Sequence, residues 1–85
     1  MAQVTVTIED MSYSPDPVEI KKGDTVVWTN QDGPPHTATA DDGSFDTGRV
    51  PAGKSSKPIT FNKAGKVPYH CTVHGPSMSG TVQVS

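Results

Sequence analysis

The feature that most narrows the folds open to this chain is its punctuation. Turn signals recur roughly every 8 to 12 residues, and no stretch between them carries a 3.6-residue apolar period, a combination that indicates an all-β sandwich. Ser14-Pro15-Asp16-Pro17, Lys22-Gly23-Asp24, Gly33-Pro34-Pro35 and Ala64-Gly65 each break the chain before a helix of ordinary length could form. Between the breaks, apolar residues follow a period of two. Val4, Val6 and Ile8 alternate with Thr5 and Thr7, Val18 and Ile20 alternate with Glu19 and Lys21, and Val82 and Val84 close the chain after Gly80. The expectation is a single domain over residues 1–85 built from about seven to eight short strands.

Thr25 to Thr29 differs from the other strands, because Val27 lies on one parity and Val26 and Trp28 on the other. A central strand covered on both faces requires that pattern, and it places Trp28 in the core. Beyond the polar, proline-rich loop from Asn30 to Pro35, a short strand should carry His36, Ala38 and Ala40 on one face and Thr37 and Thr39 on the other. From Asp41 to Lys57 periodicity vanishes. Gly43, Gly48, Pro51 and Gly53 predict a long surface excursion ordered mainly by local turns and anchored by Phe45 and Val50. Ile59 and Phe61 mark another strand, followed by one on which Val67, Tyr69 and Cys71 share a face and His70 points the other way. Pro68 cannot donate to a ladder, so it belongs where an N–H would face solvent or a bulge. Met11 reads as a packing residue near Tyr13.

With 85 residues, the chain should bury only about 60 to 65% of its unfolded surface, so a bound metal would add usefully to its stability. A formal net charge of -2 offers no basic field for nucleic acid, and no apolar run approaches the roughly 18 residues of a membrane span. The one cysteine cannot form an internal disulfide, so Cys71 must be a buried thiol, a reactive thiol or a ligand. No charged segment followed by an apolar one opens the chain, so the sequence as it stands shows no leader, and Met1-Ala2 is compatible with one having been removed.

Spacing favours the ligand. Tyr69-His70-Cys71-Thr72-Val73-His74-Gly75-Pro76-Ser77-Met78 brings a thiolate, an imidazole and a thioether close together, and His36 supplies a second imidazole from mid-chain. A His₂Cys set with a weak axial Met describes a blue-copper electron-transfer site, here His36, Cys71, His74 and Met78 around one type 1 copper ion. Each residue alone has a plainer reading. His36 could be a solvated loop residue, Cys71 a small buried hydrophobe and Met78 core filling. Cys71 with His74 could also be a thiolate–imidazolium catalytic pair, but an orienting residue, an oxyanion site and a cleft would then be needed in a very small sandwich. Structural zinc would accept His₂Cys but not readily a thioether. A copper carrier or store using the same ligands is the nearest rival to an electron shuttle.

The chain resembles the small cupredoxins of the plastocyanin, pseudoazurin and amicyanin type. The resemblance runs through the opening strand, Lys22 to Asn30, Pro35-His36-Thr37, Asp42-Gly43-Ser44-Phe45-Asp46 and the Cys-x-x-His segment. Tyr69-His70-Cys71-Thr72 and that spacing are most similar to amicyanin. The likeness implies a cupredoxin-like Greek-key sandwich that shuttles electrons by Cu(I)/Cu(II) cycling and is not an enzyme. It also implies a monomer in the periplasm or outside the cell, docking redox partners transiently near His74. That docking surface would be an apolar patch of Pro34, Pro35, the His74 ring and Pro76, flanked at greater distance by acids such as Asp32. In the family, the backbone N–H after the first His, here that of Thr37, donates to the Cys sulfur, and the residue after Cys, here Thr72, helps brace the two ligand loops. Two departures stand out. Plastocyanins commonly carry Asn where Thr37 stands, and Met follows the second His by three residues in amicyanins and five in plastocyanins, but by four here.

Overall fold

The computed structural model describes residues 2–85, with Pro76 by its backbone alone. Among these residues there is no helix. Eight strands follow one another: β1 (Gln3–Glu9), β2 (Ser12–Ser14), β3 (Val18–Ile20), β4 (Thr25–Asn30), β5 (Thr39–Ala40), β6 (Ile59–Thr60), β7 (Gly65–Cys71) and β8 (Gly75–Val84). They form two four-stranded sheets, β2-β1-β4-β6 and β3-β8-β7-β5, which is the expected all-β sandwich.

The period-two pattern explains which face of each strand turns inward. In the first sheet, parallel pairing of β1 with β4 sets Val4 beside Val26, Val6 beside Trp28 and Ile8 beside Asn30, so one parity of both strands faces the core. Val27, on the opposite parity, is buried as well, as a central strand with two covered faces demands. In the second sheet Val18 and Val82 pair, as do Ile20 and Val84, and β7 adds Tyr69 and Cys71 to the same interior.

Aromatic rings join the layers. Trp28 of β4 meets Tyr69 of β7 edge-on at 5.4 Å, stacks on Phe45 at 5.3 Å, and Tyr13 meets Tyr69 at 4.7 Å. Each such pair contributes about 0.5–1.5 kcal/mol beyond its buried area. Gly80 makes room for this cluster, since a Cβ there would lie 2.7 Å from the Tyr69 hydroxyl.

Several expectations need correction. Met11 is 44% exposed and stands outside the core cluster that holds Tyr13. Asp10 and Met11, at φ 53° and 60°, are the two-residue turn between the paired Glu9 and Ser12, and a turn with both central residues in the left-handed region throws its side chains outward. β5 is shorter than the expected strand. His36 lies ahead of it in an isolated bridge to Val50, with His36 N–H donating to Val50 O at 3.2 Å and Val50 N–H to His36 O at 2.7 Å. β8 begins at Gly75, well before Gly80.

The 41–57 excursion does contain the expected turns, and Phe45 and Val50 are buried anchors. It is also stitched to distant strands, because Asn30 N–H donates to Lys54 O, Ser56 N–H to Trp28 O and Thr47 N–H to Ala38 O. Local turn chemistry alone does not order it. Pro68 sits as its missing donor requires: its carbonyl accepts from Asp41 N–H, just beyond the point where β5 stops pairing with β7.

Candidate metal centre

Two hairpin-like features carry the expected ligands to one end of the sandwich. β7 and β8 pair regularly from Gly65↔Val84 to His70↔Ser79, and then the register jumps so that Cys71 faces Gly75. Residues 76–78 are therefore looped out on the β8 side. Cys71, at the last position of β7, continues the inward parity of Val67 and Tyr69 and is completely buried. Thr72, Val73 and His74 form the turn, which folds the His74 ring back so that its Nδ1 lies 3.4 Å from Cys71 Sγ. His36 arrives from the loop after β4, completely buried, with its Nδ1 3.1 Å from His74 Nδ1 and 3.8 Å from Cys71 Sγ.

Those three separations define a nearly regular triangle of donors, and all three ligand atoms lie within 4.8 Å of one another. A point equidistant from corners so spaced is about 2 Å from each, within the range of metal–nitrogen and just short of metal–sulfur bond lengths of about 2.0–2.3 Å. The pairing of one soft sulfur with two imidazoles suits copper in both oxidation states. Met78 is 3% exposed and shares the core cluster with Cys71 and Tyr69, on the β8 parity that continues through Gly80, Val82 and Val84. That placement serves core packing. His70 turns outward, as its parity requires, with Nδ1 2.6 Å from Asp41 Oδ1.

The groups around the donors are tightly bound. Thr37 N–H donates to Cys71 Sγ at 3.4 Å. The Thr37 hydroxyl accepts the Thr72 N–H at 2.9 Å and lies 3.1 Å from the Thr72 hydroxyl, so threonine makes the link between the two ligand loops. The Tyr13 hydroxyl donates to Thr37 O, and burial pushes that phenol well above its ordinary range.

Sequence reasoning missed two participants. Asn30 is completely buried, and its amide donates to Pro34 O at 2.9 Å and Val50 O at 2.8 Å while its oxygen accepts Asp32 N–H at 2.8 Å. The available signal was a polar residue on the buried parity of β4, in phase with Val26 and Trp28. Asp32, expected at a distance, lies 3.0 Å from His36 Nε2. The Gly33-Pro34-Pro35 loop turns tightly enough to bring residue 32 back against residue 36. The N–H of Met11 first, with those of Asp10 and the His36 ring, holds the Asp32 carboxyl below the usual carboxylate range.

His74 and Pro35 are half-buried, Pro34 is exposed, and Val73, next to His74 in the turn, is 36% exposed. The fourth expected member of the apolar patch, Pro76, has its side chain outside the described residues.

The chain is 39% identical over 85 residues to amicyanin from Paracoccus versutus, covering 95% of this chain and 64% of that protein, so it spans a little under two thirds of the relative's length. It is 32% identical over 88 residues to plastocyanin from Scenedesmus fuscus, covering 85% of each. A solved structure of an oxidised amicyanin mutant superposes with a TM-score of 0.87 at 31% identity, over 96% of this chain and 81% of that one. A Cu(I) form of another amicyanin mutant gives 0.86 at 32% identity, over the same shares. The family model described as copper binding proteins, plastocyanin/azurin family, matches residues 1–85, and the chain belongs to that family.

Proposed function

We propose that this protein is a small blue copper protein that carries single electrons between redox partners, in which His36, Cys71 and His74, with Met78 as a weaker fourth donor, would hold one type 1 copper ion. The observation that carries this reading is the convergence of Cys71 Sγ and two imidazole Nδ1 atoms, with Thr37 N–H donating to the sulfur. Copper bound there supplies a one-electron couple and a thiolate-to-Cu(II) charge-transfer colour. The chain's own contribution is to hold the donors still. His36 is fixed by its bridge to Val50, and Cys71 by the end of β7 and by Thr37. Relatives named amicyanin and plastocyanin support the assignment.

An enzymatic role for the Cys71–His74 pair is disfavoured, because a sulfur with no exposed surface cannot attack a substrate. The single domain works as a monomer in the periplasm or outside the cell, a placement that rests on the family likeness. Partners dock at the end that carries the half-buried His74, next to Val73 and, through the His36–His74 contact, near Pro34 and Pro35. An uncharged patch of this kind costs little desolvation and permits brief contact.

The test is the visible spectrum and voltammetry of the copper-loaded protein. An intense visible band and a reversible couple are expected, and Cys71→Ser should abolish the band while the chain still folds. A band unchanged in that variant would sink the assignment. Copper that yields readily to a chelator without a reversible couple would favour a carrier instead.

A further inference from the structure

Asp32 stands where two segments far apart in sequence meet. One of its carboxylate oxygens accepts the Asp10 N–H at 3.0 Å, and the other accepts the Met11 N–H at 2.9 Å and lies 3.0 Å from His36 Nε2. Its own backbone N–H is taken by Asn30 Oδ1, so the residue is gripped from both sides. The His36 side chain it meets is 0% exposed, and that of Asp32 only 16%. A surface acid free to swing would show none of this.

We infer that Asp32 is a positioning residue for the metal, receiving the proton-bearing Nε2 of His36 so that Nδ1 turns its lone pair toward Cys71 Sγ and His74 Nδ1, and tying that ring to the β1–β2 turn. The inference rests on reading His36 as a ligand. An ionised carboxylate only accepts, so the ring nitrogen beside it must be the donor. A neutral imidazole has one N–H, and placing it on Nε2 leaves Nδ1 as the free acceptor a metal needs. His74 has no carboxylate on its ring among the described residues. The two imidazoles are thus unequal: among the described residues, the His36 ring is braced by a carboxylate to a separate turn, and the His74 ring has no such brace.

Asp32→Ala removes the acceptor, and Asp32→Asn keeps one oxygen without the charge. In the Cu(I)-loaded, ¹⁵N-labelled protein, the His36 Nε2–H signal should exchange slowly with water in the wild type, much faster in Asp32→Ala and at an intermediate rate in Asp32→Asn. Loss of Cu(I) to a competing chelator should quicken in the same order, by about 10–100-fold for Asp32→Ala. Asp24→Asn, a change to another acid-held turn, should alter neither reading. If Asp32→Ala does not fold, Asp32→Asn alone must still show both shifts. Nε2–H exchange and copper loss indistinguishable from wild type in the folded variants would mean Asp32 merely pins the turn. A wild-type His36 Nδ1 signal that does not move on Cu(I) loading would overturn the ligand reading and this inference together.

Discussion

At Thr37 a single residue serves both ligand loops. Its N–H reaches the sulfur and its hydroxyl takes the Thr72 N–H. Thr37→Val should keep the first bond and lose the second, leaving a part-buried N–H unpaired at a cost of about 1–2 kcal/mol, read as a lower denaturant midpoint, while the visible band persists. Met78→Leu tests the other side of the site. If Met78 coordinates, copper and colour should stay and the reduction potential should rise; an unchanged spectrum and potential would assign Met78 to packing alone. The candidate donors His36, Cys71 and His74 could be picked out from sequence because sulfur and imidazole groups are few and their spacing is tight, and the fold brings them together. Asp32 and Asn30 could not, because their roles depend on the path of the loop between them and His36, which composition does not state.

At the scale of elements, Gly80 shows how a strand accommodates a neighbour's ring. Gly80→Ala should press on the Tyr69 hydroxyl and destabilise the fold by about 1–3 kcal/mol, measurable by thermal unfolding of the metal-free protein. The β3–β4 turn offers a pH test. Asp24 accepts N–H donors from Ala2 at 2.9 Å and Lys21 at 3.1 Å, and these, the Ala2 bond foremost, lower its pKa. A carboxyl depressed on folding stabilises fully above its unfolded value of about 3.9 and progressively less as pH falls through the folded one. Asp24→Asn should therefore be less stable than wild type at neutral pH, with the gap closing below about pH 4 in denaturant titrations. Strands with repeated β-branched alternation, β1, β3 and the end of β8, were legible, and β4 was legible by its apolar residues on both parities. β2 was not, since Ser12-Tyr13-Ser14 offers one apolar residue, and neither were the parallel pairings of β1 with β4 and β3 with β8, which no local pattern encodes. The excursion's ladder contacts escaped notice for the same reason: its partners are strands far away in the chain.

For the whole molecule, His36 enters from the first sheet's side and Cys71 and His74 from the second, so a metal ion should lock the folded state. The buried aliphatic and aromatic core does not depend on it, and the metal-free chain should remain folded. With free metal at about 100 times Kd the gain is about 2.7 kcal/mol, or about 10–20 °C in Tm for a domain of this size, reversed on removing the ion with a chelator. Docking belongs to this scale too. Pro34→Glu should slow electron self-exchange with an intact spectrum, and an unchanged rate would send electrons through another surface. The loop of residues 76–78, bulged out between the single pair Cys71↔Gly75 and the regular ladder that starts at His70↔Ser79, has one more consequence. Because the ladder is already back in register at His70↔Ser79, gain or loss of a residue within that loop would leave Val82 and Val84 where they are. Over generations, hairpin length could then drift without loss of the sandwich. Relatives of this protein would be free to vary the interval between the second imidazole and the thioether, and with it the potential, while inheriting an unaltered core.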